Sequence, residues 1–143
     1  MRDTYITSKH QEEPAWFVID ANNQTLGRLA TKVSLILQGK QNRTYSPATK
    51  FRNYVIVINA DKINLTGKKK TQKVYYSHTG KPGELRQQPF ATLHQKFPHR
   101  VFELSIKRML PSGFVKRHIH RRLKVYAGNE HPHISQNPIS VDV

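Results

Sequence analysis

Tyr54-Val55-Ile56-Val57-Ile58 is a run of five apolar residues with no polar alternation, four of them β-branched. A strand with one wet face alternates apolar and polar residues, whereas this run has no polar side to turn to solvent. It therefore reads as a strand buried on both faces, the pattern of a largely parallel sheet. Toward the N-terminus, Ala15-Trp16-Phe17-Val18-Ile19 is a second apolar run, closed by the turn-forming Asp20-Ala21-Asn22-Asn23. Between the two runs, Leu26, Leu29, Ala30, Val33, Ile36 and Leu37 recur at helical spacing, and Gly39 supplies a stop. Arg28 and Lys32 sit off that apolar face. Strand, helix, strand in this order predicts a right-handed crossover and an α/β domain.

Residues 1–14 are polar, end at Pro14 and read as an extended N-terminal arm. Residues 15–143 are expected to form one domain, with a C-terminal extension from about 126. A chain of 143 residues can bury roughly 68–70% of its unfolded surface around one core. Downstream of the second strand the apolar segments are short: Ile63-Asn64-Leu65, then Val74-Tyr75-Tyr76, separated by Gly67-Lys68-Lys69-Lys70 and followed by Gly80-Lys81-Pro82-Gly83. Basic loops are expected to dominate there. Helices are predicted near 90–97, over 99–110 with Phe102, Ile106, Met109 and Leu110 on one stripe before Pro111, and over 114–124 with Val115, Ile119 and Leu123 on a narrow one.

Charge is the strongest compositional signal. Lys and Arg number 24 against nine Asp and Glu, for a formal net charge of +15. Sixteen of those cations fall between residues 61 and 125, where the acids are Asp61, Glu84 and Glu103, and no Lys or Arg follows Lys124. Such an imbalance repels itself and favours a polyanionic partner, nucleic acid ahead of an anionic membrane. No apolar stretch approaches the ~18 residues of a membrane span, and the N-terminus lacks the apolar core of a signal peptide. The basic 114–124 segment lacks the wide aromatic and leucine face of a membrane-surface helix. Cysteine is absent, which excludes disulfides and thiolate chemistry.

Several local patterns have competing readings. Gly67-Lys68 resembles part of a phosphate-binding loop, but position 62 is Lys where Gly is needed and position 69 is Lys where Ser or Thr is needed. The loop is read as a phosphate-contacting cluster, not a nucleotide site. Asp20 and Asp61 follow strands, where function often sits, yet turn and cap chemistry accounts for them. His118/His120 and His131/His133 could supply metal ligands, but on a helix residues two apart diverge, and no metal is expected. Tyr75, Tyr76 and Tyr126 lie among cations, suited either to RNA contact or to core edges with outward hydroxyls.

Five blocks together resemble a known family. Thr25-Leu26-Gly27-Arg28-Leu29-Ala30, Asn59-Ala60-Asp61-Lys62, Lys73-Val74-Tyr75-Tyr76 with His78-Thr79-Gly80, Met109-Leu110-Pro111, and Leu123-Lys124-Val125-Tyr126-Ala127-Gly128 with Glu130-His131-Pro132-His133 are similar, in order and spacing, to the large-subunit ribosomal protein L-thirteen family of bacterial or plastid type. Glu84, Arg108 and Lys116 stand where that family commonly has Gly, and Lys50-Phe51-Arg52-Asn53 where Thr-Gly-Asp is often found. The resemblance implies a three-layer α/β/α fold with a small, mostly parallel four-stranded sheet. It also implies no catalysis, cofactor or small-molecule substrate, and early binding to large-subunit (23S-type) ribosomal RNA beside neighbouring large-subunit proteins, on a ribosome in the bacterial cytoplasm or the plastid stroma. Lys68, Lys69, Lys70, Lys73, Arg121, Arg122 and Lys124 are expected to neutralise phosphates. Lys40, Arg43, Lys81, Lys107, Arg108, Lys116 and Arg117 complete the expected cationic set, with Tyr75, Tyr76 and His78 touching loops or sugar edges. A free-standing nucleic-acid-binding module and a phosphate-handling enzyme built on Asp20 and Asp61 are the alternatives.

Overall fold

The computed structural model describes residues 14–43, 45–47 and 52–141. The expected arm over 1–14, Pro14 apart, and the Lys50-Phe51 departure lie outside the described residues. Strand β1 (Trp16–Asp20), helix α1 (Leu26–Gln38) and strand β2 (Tyr54–Ile58) follow one another as the sequence pattern requires. β1 and β2 pair in parallel from Trp16 with Tyr54 to Asp20 with Ile58. The sheet continues with β5 (Leu123–Val125) on the far side of β2 and β6 (Ile139–Ser140) on the far side of β1, in the order β5-β2-β1-β6. All three pairings are parallel, so the α/β expectation holds and the sheet is wholly parallel.

β2 is central and has no solvent-facing side: Val55, Ile56 and Val57 are all fully buried. Val55 and Val57 join the main core with Ile19, the apolar face of α1, and Val101, Phe102 and Ile106 of α4 (Pro98–Met109). Phe90 and Leu93 of α3 (Phe90–Lys96) close its edge. On the other side of the sheet Trp16 and its register partner Tyr54 stack at 4.3 Å and 9°. His133 lies 5.2 Å from Trp16, so at Trp16 this face is overlaid by the C-terminal segment.

Helix α1 ends where Gly39 adopts φ 70, a left-handed turn that costs an L side chain energy. There the Gly39 N–H donates to Ile36 O at 2.9 Å and the Lys40 N–H to Leu35 O at 3.0 Å, satisfying carbonyls the helix leaves unpaired. The buried Asn53 side chain donates a further bond to Ile36 O at 2.9 Å. The carboxyl ends of the strands are tied together in a similar way. Asn59, at φ 55, donates its N–H to Gly128 O (2.9 Å), and Ala60 donates to Tyr126 O (3.1 Å). Asp20 accepts from the Asn22 N–H (2.9 Å) and the Asn59 amide (2.8 Å), the turn chemistry expected of it.

Five elements and one side chain differ from the sequence reading. The basic stretch expected as loops contains one helical turn, α2 (Lys69–Gln72), and an antiparallel hairpin of β3 (Val74–His78) and β4 (Leu85–Pro89). The helix expected to reach 124 is α5 (Phe114–Arg121), and Leu123–Val125 leaves it to become a strand. The open edge of β2 captures it, with the Val55 N–H donating to Arg122 O at 3.1 Å and the Tyr126 N–H to Val57 O at 2.8 Å. Met109, placed on the buried stripe by spacing, is 42% exposed.

Phe102→Ala is expected to lower unfolding free energy by about 3–5 kcal/mol, the usual cost of emptying a large aromatic site. Asn53→Ala should cost about 1–3 kcal/mol through the lost buried hydrogen bond. Urea unfolding of each variant against the parent checks both.

Candidate nucleic-acid interface

Gly67, at φ 63, turns the chain into the single turn of α2, whose side chains Lys69 and Lys70 are exposed, as is Lys68 before them. The turn is too short to bury a face, so these cations stand in water. Lys69 joins Arg28, Thr31 and Thr66 around a groove of about 410 Å³ at the N-terminal end of α1. Lys73 closes the turn, half-buried, with its ammonium 5.4 Å from the centre of the Tyr75 ring. The Arg108 guanidinium lies 5.6 Å from the same ring. Tyr75 thus links the α2 loop to the end of α4 through two cation–π contacts.

Tyr75 itself is only 6% exposed and belongs to the core. Burial pushes its phenol above the ordinary tyrosine value, partly offset by Ser105 and by the positive charge of Arg108. Of the two readings open for these tyrosines, Tyr75 takes the core position, but with its hydroxyl buried and not outward, while Tyr76 faces outward.

A second cationic groove lies between α4 and α5. Lys107, Lys116, Arg117, His120 and Arg121 line about 410 Å³ around Gly113. A smaller neighbour of about 280 Å³ shares Lys107 and His120 and adds His99, Arg100, Glu103 and Leu104. Lys116/His120 and Arg117/Arg121 are four residues apart on α5, so each pair shares a helix face. The like charges of Arg117 and Arg121 at that spacing destabilise the helix by about 0.2–0.5 kcal/mol, a repulsion that an anion in the groove would reverse. Gly113 sets the groove: its φ of 102 and ψ of −167 belong to a region essentially reserved for glycine. That turn brings α5 back beside Lys107.

The remaining expected residues are distributed more widely. Lys81 and His78 are exposed on the β3–β4 hairpin. Lys124 is half-buried in β5, in register with Ile56. Arg122 is half-buried, and its guanidinium is held below the ordinary arginine value by burial, opposed by Tyr54 and reinforced by Arg52. Lys40 and Arg43 are exposed beyond the C-terminal end of α1, the helix end opposite the one beside Lys69. Arg28, Arg100, His99 and His120 were not in the expected set, although the structure brings them into the grooves. Arg28 had a visible signal, its position off the apolar face of α1; Arg100 and His99 likewise lie off the stripe of α4.

The residues that departed from the family pattern have partners in this chain. Glu84 accepts a short hydrogen bond from the Thr79 hydroxyl across the hairpin loop, Arg108 covers Tyr75, and Lys116 lines the α4–α5 groove. Among the histidines, His133 Nε2 pairs with the Tyr126 hydroxyl at 2.9 Å. No helix among the described residues is long and apolar enough to cross a membrane.

A parallel α/β body with its cations gathered on short helices and loops defines a basic scaffold protein. The family described as Ribosomal protein L13 matches residues 14–132, and the chain belongs to that family, whose members are structural and not enzymatic. Curated relatives named "Large ribosomal subunit protein uL13" include one from Symbiobacterium thermophilum, 47% identical with both chains fully covered. One from Cyanothece sp. is 46% identical over 96% of this chain and 93% of its own. Another from Thermosipho africanus is 44% identical over 99% and 95%.

Gly113→Ala is expected to destabilise the protein by about 1–3 kcal/mol, the range for a forced backbone conformation, because no L side chain fits its dihedrals readily. Chemical denaturation reads the loss, and a drop of less than ~0.5 kcal/mol would mean that the turn relaxes without cost.

Proposed function

We propose that this chain is a structural constituent of the large ribosomal subunit that binds large-subunit (23S-type) ribosomal RNA and supports early subunit assembly and translation. The relatives' shared name supports the coarse assignment. The observation that carries the finer one is the pair of adjoining grooves around Lys107 and His120, with Lys116, Arg117, Arg121 and Arg100 on their walls. Cations converging there, with Glu103 the one carboxylate on those walls, suit successive phosphates of an RNA strand. Arginine forks add geometric selectivity that lysine does not. The exposed Lys68, Lys69 and Lys70 offer a second point of attachment, and the α/β core fixes the separation of the two.

Residues 125–143 contain no Lys or Arg, and Ile134 and Ile139 are exposed. That segment is the surface for a neighbouring large-subunit protein. The ribosome concerned is bacterial or plastid, in keeping with the bacterial and cyanobacterial relatives.

Binding of the purified full chain to large-subunit ribosomal RNA and to an unrelated RNA of equal length, across a salt series, tests this reading. Each neutralised phosphate contributes roughly −0.7 to −0.9 to the slope of log affinity against log salt. Replacing Lys68, Lys69 and Lys70 by Ala should flatten that slope by about 2.1–2.7 units, and replacing Arg117 and Arg121 by Ala by about 1.4–1.8 units. Equal affinity of the parent protein for both RNAs would overturn the ribosomal assignment of the grooves.

A further inference from the structure

Strand alternation sorts the hairpin's side chains into two chemically different faces. In the β3–β4 register, Tyr75 opposes Gln88, Tyr76 opposes Gln87, Ser77 opposes Arg86 and His78 opposes Leu85. Opposed residues share a face. One face is anchored in the core by Tyr75. The other carries Tyr76, Gln87, His78 and Leu85, with Tyr76 57% and Leu85 55% exposed, and holds no Lys or Arg. Lys81 stands at the hairpin tip, while Lys73, over Tyr75, and Arg86 lie on the reverse side.

The hairpin tip is also ordered. The Gly80 N–H donates to His78 Nδ1 at 2.9 Å, so a neutral imidazole carries its proton on Nε2. Thr79 and Glu84 clasp the loop between Gly80 and Gly83. An exposed aromatic on so short and braced a ribbon loses little conformational freedom when a partner covers it.

Resting on the RNA-binding reading above, we propose that this face is a base-stacking platform, on which Tyr76 stacks against an unpaired nucleobase and Gln87 hydrogen-bonds that base's edge. A phosphate finds no charge on the face, and bases inside an A-form duplex are beyond a tyrosine's reach. An unpaired base has both the π-surface and the hydrogen-bonding edge that this set of side chains complements. A flanking phosphate would fall toward Lys81 at the tip, which gives the face its preference for RNA over a cationic protein.

The test is affinity of the full chain for transcribed large-subunit ribosomal RNA over a salt series. Tyr76→Ala should weaken binding about 5- to 150-fold, the equivalent of one stacked base, with the salt slope unchanged because no phosphate contact is lost. Tyr76→Phe should stay within about twofold, since the ring does the stacking. Gln87→Ala should weaken binding by about 2- to 10-fold, a single hydrogen bond's worth. Lys81→Ala should instead flatten the slope by roughly 0.7–0.9. Parent-like affinity of Tyr76→Ala, a flattened slope in that variant, or equal losses in the Phe and Ala variants would overturn the platform while leaving phosphate binding intact. Failure of the parent protein to prefer ribosomal RNA would instead remove the RNA-binding reading, and the platform with it.

Discussion

Everything in this molecule is positioned against the two hydrogen-bonding edges of β2. One edge is taken by β1, which precedes it through a single helix, and the other by β5, from Val55 opposite Leu123 to Val57 opposite Val125. A central parallel strand cannot leave its N–H and C=O groups unpaired in a buried layer without a penalty of about 1–3 kcal/mol for each group. The demand of that second edge fixes where α5 must stop. Because α5 stops at Arg121, its cations are delivered beside Lys107 on α4, and the groove between the two helices exists.

Electrostatics works against the fold and in favour of a partner. The formal charge of +15 opposes compaction, and α5 places Arg117 and Arg121 on a common face. The protein tolerates this because the cations sit on elements that contribute little to the core: the α2 turn buries nothing, and Ile119 is the one described α5 residue in the core cluster. The body built from β1, α1, β2 and α4 is apolar and self-sufficient by comparison. Division of labour between a neutral core and a charged periphery lets the proposed RNA contacts change in number without disturbing the packing that spaces them.

The body was legible because periodicity and burial agree there. Val55 to Val57 is buried on both sides and reads so; α1 buries the residues its spacing selected. Leu123 was misread because it continues the Val115–Ile119 spacing of a helix, while its strand state depends on the edge of β2, which no local pattern encodes. Strand β4, Leu85-Arg86-Gln87-Gln88-Pro89, is exposed along its whole length, so it carries no burial signature and was hidden among loops. The cationic set was legible as a population but not as a geometry. Convergence of Arg100, Lys107 and Arg121 depends on the turn at Gly113, and the opposite fates of Tyr75 and Tyr76 depend on a strand assignment that the sequence left undecided.

The outermost pairing has a consequence for how the chain is made. β1 leaves the site of synthesis well before β6, yet β6 is the partner of its outer edge, with Phe17 opposite Ile139. Until that late segment emerges, Phe17 and Val18 present an open, apolar strand edge, the feature most prone to pair with the wrong chain. The growing protein must hold an unfinished sheet while everything between β1 and β6 is made. Pairings of such high sequence separation are also slow to form, so the newly released chain has a vulnerable interval in which prompt capture by a polyanion or a chaperone favours a completed fold over an aggregate.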